Sequence, residues 1–308
     1  MQQANRRPGT TDTASTVPPP RRAGADVRVL VAALTDVGAT RSENEDRFLV
    51  ADALAARSLI VPFTCSHTLA SAPILMAVSD GMGGENAGEV ASAMTLDVLL
   101  RWVGQNLQRC LPIGALRLAI ERAHEEVTFA AARPDRTGMG ATVVAALLDG
   151  GLVHLAAVGD SRAYLRRSGK LVQVTHDQSF VQQLVDHGAL AREQIPDFPY
   201  KNVLIQAVGR APNLQVACGS IELRRGDQLV LCSDGLTTEL SDSDILSILG
   251  NGARSLDAVC RELVAAANQH GGNDNITVVL AAFEGDDLPP ADPHEDISRL
   301  AQSIASPA

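Results

Sequence analysis

The chain is built from short apolar blocks, most of them closed by glycine or aspartate. VRVLVAAL (27–34), ILMAVS (74–79), TVVAALL (142–148), LVHLAAV (152–158) and QLVLCS (228–233) are apolar or alternating runs of strand length and predict β-strands. Asp149-Gly150-Gly151 joins two of them as a hairpin. A second period governs other stretches. Val90, Met94, Val98 and Trp102 recur every fourth residue, and Leu116, Ile120, Ala123 and Val127 recur at helical intervals, which predicts two amphipathic helices. Further helices are predicted over 179–187, 242–249 and 255–268. Strands joined by tight turns favour antiparallel sheets with helices outside them, so the expected class is α+β, not a doubly wound parallel sheet.

The ends read differently. Residues 1–25 are rich in Thr, Ser, Pro, Ala and Arg, with little to bury, and predict a disordered tail. From Gly285 the chain turns acidic and proline-containing (EGDDLPPADPHED), and 286–308 reads as an appended C-terminal tail with room for one short helix. No linker interrupts 26–285, which is expected to be one domain.

Composition narrows the function. Apolar residues make up 45% and charged residues 20% of the 308, a soluble globular profile. No run of roughly 18 apolar residues occurs and no signal peptide opens the chain, so neither a membrane span nor export is expected. The five cysteines are scattered and never spaced as CxxC, which fits free thiols in the cytoplasm. A net charge of −10, with Lys170 and Lys201 the only lysines, argues against a nucleic-acid partner.

The chemistry-bearing pattern is an aspartate–glycine pair after a strand, used twice: Asp80-Gly81 in ILMAVSDGMGG and Asp234-Gly235 in QLVLCSDGL. Either alone is an ordinary turn aspartate. RSENEDRF adds Arg41, Glu45 and Asp46 before a strand, HGGNDN sets Asp274 in a glycine-rich turn, and Asp135 sits in the loop RPDRTGMGAT. Taken singly these are a charged hairpin, an Asn-Asp turn and a loop carboxylate, and Arg41 is a surface arginine. Together five aspartates with no histidine or cysteine cluster make an all-oxygen donor set, suited to Mg²⁺, Mn²⁺ or Ca²⁺ and not to zinc. The seven histidines are scattered and offer no competing site.

RSENED, SDGMGG, GMGAT, GDSR, CSDG and GGNDN, in that order over residues 28–283, closely resemble the PPM-type (type 2C) metal-dependent protein phosphatases, most nearly the bacterial members. The resemblance implies a four-layer αββα sandwich of two antiparallel sheets, with metals in a cleft at one edge. It implies that Asp46, Asp80, the Gly81 carbonyl, Asp234 and Asp274 hold two core ions, Mn²⁺ or Mg²⁺, and that Glu45 reaches metal through water. Asp135, with Asp234, matches the position of a weaker third ion, and Arg41 matches the phosphate-binding arginine. Two such ions share a water and lower its pKa, and the hydroxide attacks phosphorus of phosphoserine or phosphothreonine in line. The implied partners are phosphorylated proteins, targets of bacterial serine/threonine kinases in the cytoplasm; the expected state, which the resemblance does not fix, is a monomer.

Some positions depart from the family pattern. Met82 replaces the histidine that some eukaryotic relatives carry after DG, Ala141 stands in GMGAT, and Phe198-Pro199 replaces His-Pro beside a flap of about 175–200. Asp160 and Arg162 of GDSR read as structural. Three rival readings stand beside this one. Cys218 to Arg224 fits the CxxxxxR of cysteine-dependent phosphatases, but GSIELRRGD alternates like a strand and does not open a helix. A catalytically silent sensor of the same fold would have lost metal aspartates. A metal-dependent phosphatase of small molecules is set aside only by the resemblance.

Overall fold

The computed structural model describes residues 27–59, 65–68, 73–83, 87–195, 197–250, 254–302 and 304, and the apolar runs pair there into two six-stranded antiparallel sheets. The tail expected over 1–25 lies outside the described residues. In chain order the strands are β1 (Arg28–Asp36), β2 (Arg47–Asp52), β3 (Arg57–Ser58), β4 (Cys65–Thr68), β5 (Ile74–Ser79), β6 (Gly81–Met82) and β7 (Gly140–Ala141). They continue as β8 (Val143–Asp149), β9 (Leu152–Val158), β10 (Arg162–Arg167), β11 (Lys170–Gln173), β12 (Ala217–Glu222), β13 (Gln228–Cys232) and β14 (Ile276–Glu284). The helices are α1 (Ala87–Asn106), α2 (Pro112–Ala131), α3 (Phe180–Asp186), α4 (Asp234–Thr237), α5 (Asp242–Gly250) and α6 (Leu256–His270). One sheet runs β11-β10-β13-β14-β1-β4 and the other β12-β9-β8-β5-β2-β3, with β6 and β7 as a separate ladder.

The two-residue side-chain period explains why the central strands are apolar at almost every position. Ile74, Met76 and Val78 of β5 meet Val279, Ala281 and Phe283 of β14 between the sheets. The alternate residues Leu75 and Ala77 face the core under α1 and α2. Ile276, Val278 and Leu280 face the core under α4, α5 and α6. Both faces of each sheet are thus buried, in the four layers expected.

Two expectations need correction. The stripe Val90, Met94, Val98, Trp102 is the flank of the buried face of α1, with only Val98 fully buried; Ala91, Ser92 and Thr95 lie wholly inside together with Leu99 and Val103. Small side chains let the helix approach the sheet closely, and they carry no hydrophobic signal. The C-terminal segment from 286 is also not an appended tail. Leu288 and Ile304 are buried in the core between the sheets and Ile297 is buried as well. The Arg225 amide donates to the Pro289 carbonyl at 2.9 Å. Three apolar residues spaced so irregularly follow neither a helical nor a strand period, so the acidic, proline-rich composition dominates the reading.

Candidate active site

Antiparallel pairing decides which strand ends meet. β2 opens where β5 closes, with Arg47 opposite Ser79. β8 opens beside the end of β9, with Val143 opposite Val158. In the other sheet β14 opens beside the end of β13, with Val278 opposite Cys232. Asp46, Asp80, Asp160, Asp234 and Asp274 are attached at these ends and gather at one end of the sandwich. Asp80, Asp160, Asp234 and Asp274 line a cavity of about 650 Å³ together with Arg41, Glu45 and Gly81. Asp46 has no exposed surface and is not part of the wall.

Hydrogen bonds from neighbouring turns hold the Asp80 backbone and the side chains of Asp46, Asp274 and Glu45. The Asp80 amide donates to Thr142 Oγ1 at 3.0 Å, and the Thr142 amide returns a bond to the Asp80 carbonyl at 2.8 Å. Ser233 donates to Asp46 Oδ2 at 2.6 Å. Asn275 ties the Arg41–Asp46 loop to the Asp274 turn: its Nδ2 donates to the carbonyls of Val37 and Glu43, each at 2.9 Å, and its Oδ1 accepts from the Glu45 amide at 2.9 Å. Arg41 Nη2 donates to Asp274 Oδ2 at 2.8 Å. Glu45 accepts from the Gly88 amide in the first turn of α1, while burial raises its pKa above the usual glutamate value. Gly81 is packed so tightly that a Cβ there would lie 2.1 Å from the Gly88 carbonyl oxygen and 2.8 Å from that of Glu45.

The electrostatics mark the site. Burial pushes Asp46 up to about 7, against the opposing hydrogen bonds from Ser233 and Thr277. Burial and the charge of Asp274 push Asp234 up to about 6. Asp80 and Asp160 are raised well above the usual carboxylate value, first by burial and then by neighbouring aspartates. Asp46 Oδ1 and Asp234 Oδ1 are buried with no hydrogen-bond partner. A buried carboxylate oxygen without a donor is costly, and a cation is the group that satisfies it. Among the described residues no three histidine, cysteine, aspartate or glutamate side chains are closed into a ready metal cage. Mutual repulsion of carboxylates works against such closure until a cation lies between them. The orphaned oxygens and the all-oxygen donor set fit hard divalent ions.

Not every expected residue joins the cavity. Asp135 lies on an exposed turn at Pro134–Arg136, paired with Arg133 at 3.2 Å and Arg136 at 3.9 Å, and it is not part of the cavity wall. Its pKa is lowered, chiefly by the hydrogen bond from Arg133. Asp135, expected with Asp234 at a third ion, thus lies outside the cavity wall and pairs with arginines. Asp160, read as structural from sequence, stands in the cavity wall beside Asp234 instead. Arg162 does act structurally, gripping Asp177 at 2.6 and 3.0 Å. Asn202, Val203, Leu204 and Ile205, just beyond the segment of about 175–200 expected to be a flap, line the cavity. Ser233, Asn275, Thr142 and Arg210 are further site residues that sequence reasoning passed over. Ser233 and Asn275 adjoin Asp234 and Asp274 in CSDG and GGNDN, which was the available signal.

The rival cysteine is elsewhere. Cys218 sits within β12, opposite Ala156 of β9, and burial pushes its thiol up to about 11.

A family model described as "Protein phosphatase 2C" matches residues 63–281. A "Putative protein phosphatase 2C-type" of Streptococcus pyogenes is 34% identical over 256 residues, covering 82% of this chain and 97% of that protein. The structure of the S. agalactiae serine/threonine phosphatase superposes with a TM-score of 0.72 at 32% identity, covering 82% of this chain and 98% of that one. The catalytic domain of the serine/threonine protein phosphatase PstP, solved in complex with two manganese ions, gives a TM-score of 0.69 at 32% identity and covers 83% and 99%.

Proposed function

The chain belongs to the protein phosphatase 2C family, and we propose that the aspartate-lined cavity is where it removes phosphate from proteins. It is a metal-dependent serine/threonine protein phosphatase, a hydrolase of phosphoproteins. In the proposal Asp46, Asp80, the Gly81 carbonyl, Asp234 and Asp274 hold two core ions, and Glu45 meets metal through water. The observation that carries this assignment is the pair of buried, partnerless oxygens on Asp46 and Asp234, one from each sheet, at the end where the other carboxylates gather.

When bound, Mn²⁺ or Mg²⁺ supplies an acidified water as nucleophile and draws off charge from the phosphoryl oxygens. The chain's residues do the rest. Ser233 and Thr277 orient Asp46. Arg41 engages Asp274 through one Nη2–H and has further donors for a phosphoryl oxygen, in the forked geometry that suits phosphate. No histidine lines the cavity among the described residues, so water or a carboxyl group would protonate the leaving serine or threonine oxygen. A weaker third ion at Asp234 would draw on Asp160, already adjacent, or on Asp135 once its pairing with Arg133 opens.

We extend the proposal to a cytoplasmic monomer opposing serine/threonine kinases. Cys110, Cys218, Cys232 and Cys260 are free, as a reducing compartment favours. Phosphate release from phosphoserine and phosphothreonine peptides, compared with sugar phosphates and nucleotides in Mn²⁺, tests the substrate class. Higher kcat/KM on the peptides supports it, and preference for a small phosphomonoester contradicts it.

A further inference from the structure

We propose that Arg210 is a specificity-determining residue that binds an acidic side chain flanking the phosphorylated serine or threonine. The inference rests on the phosphatase reading above. Two arginines line the cavity, Arg41 and Arg210. Arg41 is already paired with Asp274. Arg210 is exposed, and its guanidinium makes no hydrogen bond or ion pair with any described residue, although several carboxylates line the same cavity.

The position is built. Arg210 follows a turn fixed to the floor of the site: Val208 and Ala141 exchange amide–carbonyl bonds at 2.8 and 3.0 Å, and β7, which contains Ala141, pairs with Gly81 in β6. The Gly209 amide donates to His124 Nδ1 at 3.0 Å, and burial lowers the His124 pKa, which favours the neutral, accepting ring. Gly209 has φ +84, and a Cβ there would lie 2.4 Å from Val127. The aliphatic stem of Arg210 packs over Gly140, where a Cβ would lie 2.6 Å from Arg210 Cγ and Cδ. Glycine at 140 thus gives the stem its bed, and the charged end is the part left in solvent.

Location selects the ligand. The scissile phosphoryl group belongs at the buried carboxylates and Arg41. Arg210 stands at the exposed rim, on a wall shared with Asn202, Val203 and Ile205, and meets what lies beside that group in a peptide. The chain carries a net charge of −10 and repels acidic segments as a whole, so a rim cation with no partner among the described residues discriminates where the rest of the surface cannot.

The test is the ratio of kcat/KM for two phosphothreonine peptides, one with aspartates on both sides of the phosphothreonine and one with alanines. It is measured in Mn²⁺ for wild type, Arg210→Gln, Arg210→Lys and Arg210→Glu. The ratio is insensitive to the fraction of enzyme that folds. We expect about a fivefold preference for the acidic peptide in wild type, weakening as salt rises. It should fall to about one in Arg210→Gln, return in part in Arg210→Lys and invert in Arg210→Glu. An unchanged ratio in Arg210→Gln, including equal losses on both peptides, overturns the inference and leaves the phosphatase reading intact. A wild type that releases phosphate from neither peptide overturns both.

Discussion

Ser233 donates its hydroxyl proton to Asp46 Oδ2 across 2.6 Å, joining the end of β13 to the start of β2 and so one sheet to the other. Ser233 Oγ in turn accepts from the Thr277 amide at 3.0 Å. One oxygen of Asp46 is thereby fixed, and the other is left without a hydrogen-bond partner, as the proposed metal ligand requires. Ser233→Ala should weaken Mn²⁺ binding by about 10- to 100-fold, the usual cost of losing a group that orients a metal ligand. Calorimetric titration measures this, and an unchanged affinity would make the bond purely structural.

Metal-free stability should fall with rising pH. Asp46 and Asp234 titrate at about 7 and about 6 in the folded chain, whereas unfolded aspartates titrate near 4. Between those values the folded state holds more protons, so the stabilisation present below about pH 4 is lost as pH rises through 6 and 7. Asparagine does not titrate there. Metal-stripped Asp46→Asn should melt above wild type at pH 8, by several degrees, with the difference shrinking towards pH 4. A difference that grows on acidification would reverse the assigned sign.

The C-terminal segment is held by a buried cation. Arg167 donates to Asp227 at 2.7 and 2.9 Å and to Glu295 at 3.1 and 3.2 Å, and both Arg167 and Asp227 are almost wholly buried. Arg167→Ala strands the Asp227 charge and should cost about 3–5 kcal/mol in urea unfolding. Glu295→Gln, at a partly exposed partner, should cost less than about 1 kcal/mol. Equal costs for the two would contradict this packing.

Gly235 lets the Asp234 turn close on the Asp274 turn. A Cβ at 235 would lie 2.1 Å from the Asn275 carbonyl oxygen, which is backbone and can yield only if the strand end moves. Gly235→Ala should lower the melting temperature and reduce Mn²⁺ affinity together, seen by thermal melts with and without Mn²⁺. A loss of stability with normal metal affinity would show that the two turns are not coupled to the site.

The apolar runs made the antiparallel sheets legible for a physical reason, while the four-layer sandwich and the proposed ligands were legible through the resemblance carried by six motifs in order. Central strands buried on both faces are apolar throughout, and aspartates placed at strand ends must gather once the strands pair antiparallel. The less visible parts depend on contacts that leave no local pattern. Asp160 reads like any turn residue until β9 sets it beside Asp234. Asp135 sits where the family motif places a ligand, yet its nearest charges are Arg133 and Arg136. Arg210 follows an unremarkable glycine, and only the tertiary bond from Gly209 to His124 and the bed at Gly140 set it on the cavity rim.

Phosphate release from a phosphothreonine peptide by wild type, Asp234→Asn and Cys218→Ser, in Mn²⁺ and then in EDTA, tests the central claim most directly. The account predicts activity that requires metal, persists in Cys218→Ser and falls on the order of 100-fold or more in Asp234→Asn. Activity indifferent to EDTA and absent from Cys218→Ser would contradict it.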